Sequence, residues 1–257
     1  MPKVEELNEE EHGGGNQAPP LVFLHGAGGN RLHWPPGIRR LEGVHTYALD
    51  LPGHGRSPSA GEATIKDFAR RVAAWRGARG VARPVLVGHS MGSAIALTVA
   101  LGEPQSLAGL ILIGAGPRLR VNPVLLEQTA GVETFAAAVE QILQWSFAAP
   151  ASPRLVRLAR RSLLAAGPDV LHRDLQACHA FDATDRLAEV RLPTLVIVGS
   201  QDRMTPPRLG EALHQGIGGS RLQAVEGAGH MVMLEQPETV ARLLGAFRLD
   251  ISAEGPA

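Results

Sequence analysis

Cysteine is almost missing from this chain: Cys178 is the only one among 257 residues. A single thiol makes no internal disulfide, and nothing beside it completes a metal-ligand set. Excess charge of one sign is missing too, because 25 Lys and Arg balance 25 Asp and Glu. Phosphate backbones call for a clustered positive field, so nucleic acid is not expected as a partner. Long apolar runs are also lacking. The longest, Met91–Leu101, is too short to span a bilayer, so no membrane span is expected. The opening MPKVEELNEEE is acidic and polar, the reverse of a signal peptide, and a cytoplasmic location is the expectation.

The hydrophobic content is 44%, which suits an ordinary globular core. Short apolar runs bounded by Gly or Pro recur at Leu21–Leu24, Thr46–Leu49, Val85–Val87, Leu110–Ile113, Thr194–Val198 and Leu222–Val225. Unbroken apolar runs of this length suit strands covered on both faces. Helical patterns at Glu62–Arg76, Met91–Leu101 and Pro237–Arg248 alternate with them, which predicts a doubly wound α/β sheet. Between Pro117 and Leu192 no good strand appears, and helical spacing returns at Thr134–Phe147 and Pro153–Ala166. An insertion placed there can cover the carboxyl edge of the sheet, where open α/β folds bind ligands.

The strongest chemical signal is Gly88-His89-Ser90-Met91-Gly92, set between a buried strand and a helix. A sharp strand-to-helix turn lifts the Ser90 hydroxyl clear of the sheet and needs small neighbours, here Gly88, Gly92, Ser93, Ala94 and Ala96. The same turn points the Met91 N–H at the reacting atom. A hydroxyl needs a base. Of ten histidines the best placed is His230, after the last strand and freed by Gly227 and Gly229. Asp202 follows another strand at the same edge and can fix the tautomer of His230. A second N–H donor for the developing oxyanion is expected from the loop His25-Gly26-Ala27-Gly28-Gly29, with Ala27 preferred. That loop lacks the G-K-[ST] ending of a phosphate-binding loop.

The segments HGAGG, DLPGHGRS (Asp50–Ser57), GHSMG, GSQDRMTP and GAGHMVMLEQPE together resemble the α/β-hydrolase superfamily. They are most similar to its cytosolic esterase, monoacylglycerol-lipase-like and cofactor-free perhydrolase branches. The resemblance implies Ser90 as nucleophile, His230 as base, Asp202 as acid, and Ala27 with Met91 as oxyanion hole, in the chain order of α/β serine hydrolases. It implies a helical cap at 117–190 on a core of 1–116 and 191–257. It also implies an opening two-strand hairpin, of which only Val4–Leu7 is visible, so that edge is expected to be short. Ser93 stands where many relatives carry glycine, with no loss of function expected.

The expected activity is a serine carboxylesterase with a small-molecule ester as partner and neither metal nor organic cofactor. Carbon–carbon bond hydrolase, lactonase, perhydrolase and a non-catalytic receptor are the alternatives. Gly26, Trp34, Phe135, Ile142, Trp145, Phe147 and Met231 are the candidate pocket residues, some of which are expected to be packing instead. Aromatics make up only 4% of the chain, which suggests short to medium acyl groups. His89 is expected to pack under the turn, Cys178 and His179 to be structural, and Arg56 to be a solvated turn residue.

Overall fold

A computed structural model describes residues 7–14, 18–58 and 61–254. Seven strands form one sheet: β1 (Glu9–His12), β2 (Leu21–Leu24), β3 (Thr46–Leu49), β4 (Val85–His89), β5 (Gly109–Ile113), β6 (Thr194–Gly199) and β7 (Arg221–Val225). Their spatial order is β1-β3-β2-β4-β5-β6-β7. Every pairing is parallel except β1 against β3. Ten α-helices are described: α1 (Pro36–Arg39), α2 (Ile65–Arg79), α3 (Met91–Gly102), α4 (Pro123–Ala130), α5 (Phe135–Ser146), α6 (Pro153–Ala166), α7 (Pro168–Ala180), α8 (Pro207–Gly216), α9 (Val232–Glu235) and α10 (Pro237–Glu254).

Strand side chains alternate between two cores, as a period of two requires. Val22, Leu24, Leu86, Leu110, Leu112, Val196 and Val198 pack with α2, α3 and α8. Leu21, Phe23, Val85, Val87, Ile111, Ile113, Leu195 and Ile197 pack with α1 and α10. Because helices cover both faces, the central strands read as unbroken apolar runs rather than alternating ones. The long helix α2 starts where the Thr64 side chain accepts from the Asp67 N–H and stops at Gly80 in the left-handed region (φ 64°).

The two edges of the sheet depart from expectation. The first described strand is Glu9–His12; of the expected Val4–Leu7, residues 4–6 lie outside the described residues and Leu7 is in no strand. An edge strand needs no apolar run. Its acidic side chains pair instead: Glu9 with Arg79, Glu10 with Arg39 and Arg40, Glu11 with His45. At the other edge β7, the last described strand of the sheet, is exposed along most of its length. The interval between β5 and β6 holds α4–α7 and no strand.

Candidate active site

The carboxyl ends of β2, β4, β6 and β7 bring together four loops that are far apart in sequence. At the end of β4 the chain turns into α3 through Ser90, whose backbone sits at φ 52°, ψ −115°. A positive φ at a non-glycine residue costs on the order of 1–3 kcal/mol and persists only where the surroundings impose it. Here glycines impose it. A Cβ on Gly88 would lie 2.3 Å from the Gly92 carbonyl oxygen, and one on Gly92 would lie 2.2 Å from the Leu24 carbonyl oxygen. The Ser90 N–H donates to the Ile113 carbonyl at 2.9 Å. Ser93 locks the turn further: its Oγ donates to the Gly88 carbonyl at 2.7 Å and accepts from the Ile113 N–H at 3.2 Å. A glycine there could do neither.

After β7 the loop returns His230 to the same edge, buried with its Nδ1 2.9 Å from Asp202 Oδ2. A carboxylate only accepts, so Nδ1 carries a proton and donates it to Asp202. Asp202 is itself held: its Oδ1 accepts the N–H groups of Met204 and Thr205, each at 2.8 Å, and its Oδ2 accepts the Thr205 hydroxyl at 2.7 Å. Burial pushes the Asp202 carboxyl up, but His230 and the Thr205 donors outweigh it and hold it below its ordinary value. The loop carrying His230 is tied down by Glu235, whose carboxylate accepts from the Gly229 and Ala148 amides at 2.8 Å each. Neither Thr205 nor Glu235 stands out in the sequence, because both act through the backbone or through another side chain.

His89 does more than pack. Its Nε2 donates to the His230 carbonyl at 3.0 Å, and its ring centroid lies 4.7 Å from that of His230. Burial and the neighbouring His230 hold it well below the usual imidazole range, so it is neutral.

After β2, His25 Nε2 accepts from the Leu51 N–H at 3.0 Å while Nδ1 donates to the Gly26 carbonyl at 2.8 Å. The Gly29 N–H also reaches that carbonyl, at 3.1 Å. The Gly26 carbonyl and the Ala27 N–H belong to one planar trans peptide and point in opposite directions. With the carbonyl turned inward by two donors, the Ala27 N–H is turned outward. It meets no acceptor among the described residues. The Met91 N–H, first in its helix, has no intrahelical partner either.

A cavity of about 360 Å³ opens over these groups and is lined by Ser90, His230, Gly26 and Ala27 from the sheet edge. This is the size of a small-molecule pocket. Each helix of the insertion contributes to the far wall, through Leu125, Ile142, Leu163 and Leu171. Trp145, Phe147 and Met231 also line it. Trp34 and Phe135 do not. Trp34 is fully buried against Phe23 at a ring separation of 4.9 Å, and Phe135 packs in the core. An aromatic at helical spacing reads the same in sequence whether it faces a cavity or the core beneath. Cys178 reaches the cavity wall as a buried thiol that burial keeps protonated, while His179 Nδ1 donates to the Val121 carbonyl at 3.1 Å. Arg56 is exposed, with its N–H on buried Asp50 at 3.0 Å. No group of three metal-ligating side chains occurs among the described residues, and none of their helices is long and apolar enough to cross a membrane.

Residues 21–243 match the Alpha/beta hydrolase family. This chain belongs to that family. Among its α/β-hydrolase relatives, a pimeloyl-(acyl-carrier protein) methyl ester esterase of Neisseria meningitidis serogroup A is 31% identical over 241 residues, which span 88% of this chain and 76% of that protein. A 2-succinyl-6-hydroxy-2,4-cyclohexadiene-1-carboxylate synthase of Serratia proteamaculans is 29% identical, over 89% of this chain and 92% of that protein. Among solved α/β hydrolases, a thermophilic esterase from Thermogutta terrifontis superposes with a TM-score of 0.85 at 28% identity, covering 95% of this chain and 93% of that one.

Proposed function

We propose that this α/β hydrolase is a serine carboxylesterase that cleaves short- to medium-chain esters through an acyl-enzyme on Ser90. The observation that carries the reading is the 2.9 Å contact of His230 Nδ1 with buried Asp202, behind a His230 that lines the same cavity as Ser90. His230 Nε2 takes the Ser90 proton as Oγ attacks the ester carbonyl. The oxyanion settles on the Ala27 and Met91 amides. His230 then protonates the leaving alcohol, and water repeats the sequence on the acyl-enzyme.

The helices at 117–190 act as a cap over the carboxyl edge, and their apolar side chains receive the acyl group. Among the described residues no hydrogen bond joins Ser90 Oγ to the His230 ring, a contact that often tightens only when substrate arrives.

The test is hydrolysis of p-nitrophenyl esters from acetate to palmitate, with γ-butyrolactone as a cyclic ester, by wild type beside Ser90→Ala. Butyrate should be cleaved faster than palmitate, and Ser90→Ala should lose roughly 10⁶ in kcat. Ester cleavage that survives Ser90→Ala overturns the reading. A lactone cleaved much faster than every open-chain ester moves the protein to the lactonases.

A further inference from the structure

The HGAGG loop is held from two sides. From below, His25 grips the Gly26 carbonyl at 2.8 Å. From above, a carboxylate of the insertion reaches down: Asp174 Oδ2 accepts the Gly28 N–H at 2.8 Å. Asp174 lies on α7, 146 residues away in sequence, and is fully buried. The same oxygen lies 2.7 Å from His54 Nε2. His54 Nδ1 lies 3.0 Å from the Pro52 carbonyl. A carbonyl and a carboxylate both only accept, so both ring nitrogens of His54 carry protons and the ring is an imidazolium. Burial pulls His54 down, but the bond and charge of Asp174 together with the Pro52 carbonyl outweigh it, and the net direction is up. The groups facing this ring are Asp174 and Arg173 from α7, the neutral His25 ring at 4.8 Å, buried His33, which the His54 charge helps to hold low, and the Phe68 ring of α2 at 6.2 Å.

A wholly buried ion pair is a poor choice for stability alone, since apolar replacements of similar volume often do as well. This one is also spent in a particular way. Asp174 Oδ1 has no partner among the described residues, while both contacts converge on Oδ2. The flanking Leu171 and Leu175, one helical turn apart, line the substrate cavity. Leu171 also presses on Gly28, where a Cβ would come within 2.9 Å of its Cδ1. Gly28 sits at φ 60°, a conformation that strains any residue with a Cβ.

We propose that Asp174, backed by the His54 imidazolium, is a positioning residue through which the helical insertion sets the loop that presents the Ala27 N–H. The cap then does two things: it walls the acyl site with Leu171 and Leu175, and it holds one oxyanion donor through the residue between them. An acyl group seated on those leucines braces the helix that fixes the donor. The inference rests on the esterase reading for its kinetic consequence, but the latch itself is a statement about one backbone amide.

The experiment compares Asp174→Ala and Asp174→Asn with wild type. Asn keeps an amide oxygen for the Gly28 N–H, whereas Ala keeps nothing. For Asp174→Ala, exchange of the Gly28 amide proton should quicken by about 10-fold or more while the β4 and β5 amides stay protected. Its kcat on p-nitrophenyl butyrate, per folded molecule, should fall by about 10- to 100-fold, with KM within about threefold, because a donor is displaced rather than removed. Asp174→Asn should recover most of that loss. Unchanged Gly28 exchange overturns the latch, as does a kcat within about twofold of wild type once folding is matched by melting temperature. Should wild type itself cleave no ester in a Ser90-dependent way, the esterase reading fails, and Gly28 exchange alone decides the latch.

Discussion

The Nδ1–H of His25 donates to the carbonyl of its own neighbour, Gly26, at 2.8 Å. That one bond turns a peptide plane, and the plane carries the Ala27 N–H to its outward face. The tautomer is fixed by the other nitrogen, which accepts the Leu51 N–H at 3.0 Å. Burial holds the ring well below the ordinary imidazole value, with the His54 charge adding to the effect, so it stays neutral as both bonds require.

His25→Ala is therefore expected to act at a distance from the reacting atoms. The buried Leu51 amide loses its acceptor, which costs about 1–3 kcal/mol of stability. The Gly26–Ala27 peptide loses one of the two donors that orient it, and kcat for p-nitrophenyl butyrate should drop by about 10-fold or more with little change in KM. A thermal melt and a saturation curve on the same preparation check both parts. A kcat equal to wild type would mean that the Gly29 N–H alone orients the peptide.

The glycines of the elbow make a second expectation. Gly92 is pressed against β2, and a Cβ there would stand 2.2 Å from the Leu24 carbonyl oxygen and 2.8 Å from that of His25. Both obstacles are backbone, so neither can swing aside. Gly92→Ala must push α3 away from the strand that leads into the HGAGG loop. The cost should be about 3 kcal/mol or more, at the upper end of overpacking. Urea unfolding of the variant should show a lower midpoint, with ester turnover lost earlier than helical signal. A variant as stable as wild type would show that α3 shifts freely.

The sheet and the turn at Ser90 are legible in the sequence because their physical demands are local. Unbroken apolar runs follow from burial on both faces, and Gly88, Ser90 and Gly92 are adjacent in the chain. His230 and Asp202 are legible for a related reason: each follows a strand end, and strand ends meet at one edge. What escapes is whatever depends on two distant side chains meeting. Asp174 reads as one polar residue in an ordinary amphipathic helix until α7 is laid over Gly28. Glu9–His12 reads as a solvated acidic run until Arg39, Arg40 and Arg79 are brought against it. Trp34 offers the reverse lesson, since its size suggests a pocket wall while its neighbour Phe23 keeps it in the core.

The His54–Asp174 pair gives stability a dependence on pH with a definite sign. Its folded pKa is raised above the unfolded value of about 6.5. The contribution is then fully present below that value and is lost as pH rises through the folded pKa, because the unfolded chain releases the proton first. Replacing His54 by Gln removes the titration and keeps a side chain that can donate to Asp174. The stability advantage of wild type over His54→Gln, read from urea midpoints at intervals from about pH 5.5 to 9, should be largest at the acid end and shrink toward the alkaline end. Asp202 works the opposite way, since its depressed carboxyl contributes above its unfolded value and is lost only in acid, so it does not confuse the alkaline limb. An advantage that grew with pH would require a neutral His54 in the folded protein. One of its two donor contacts, to Pro52 or to Asp174, would then have to be given up.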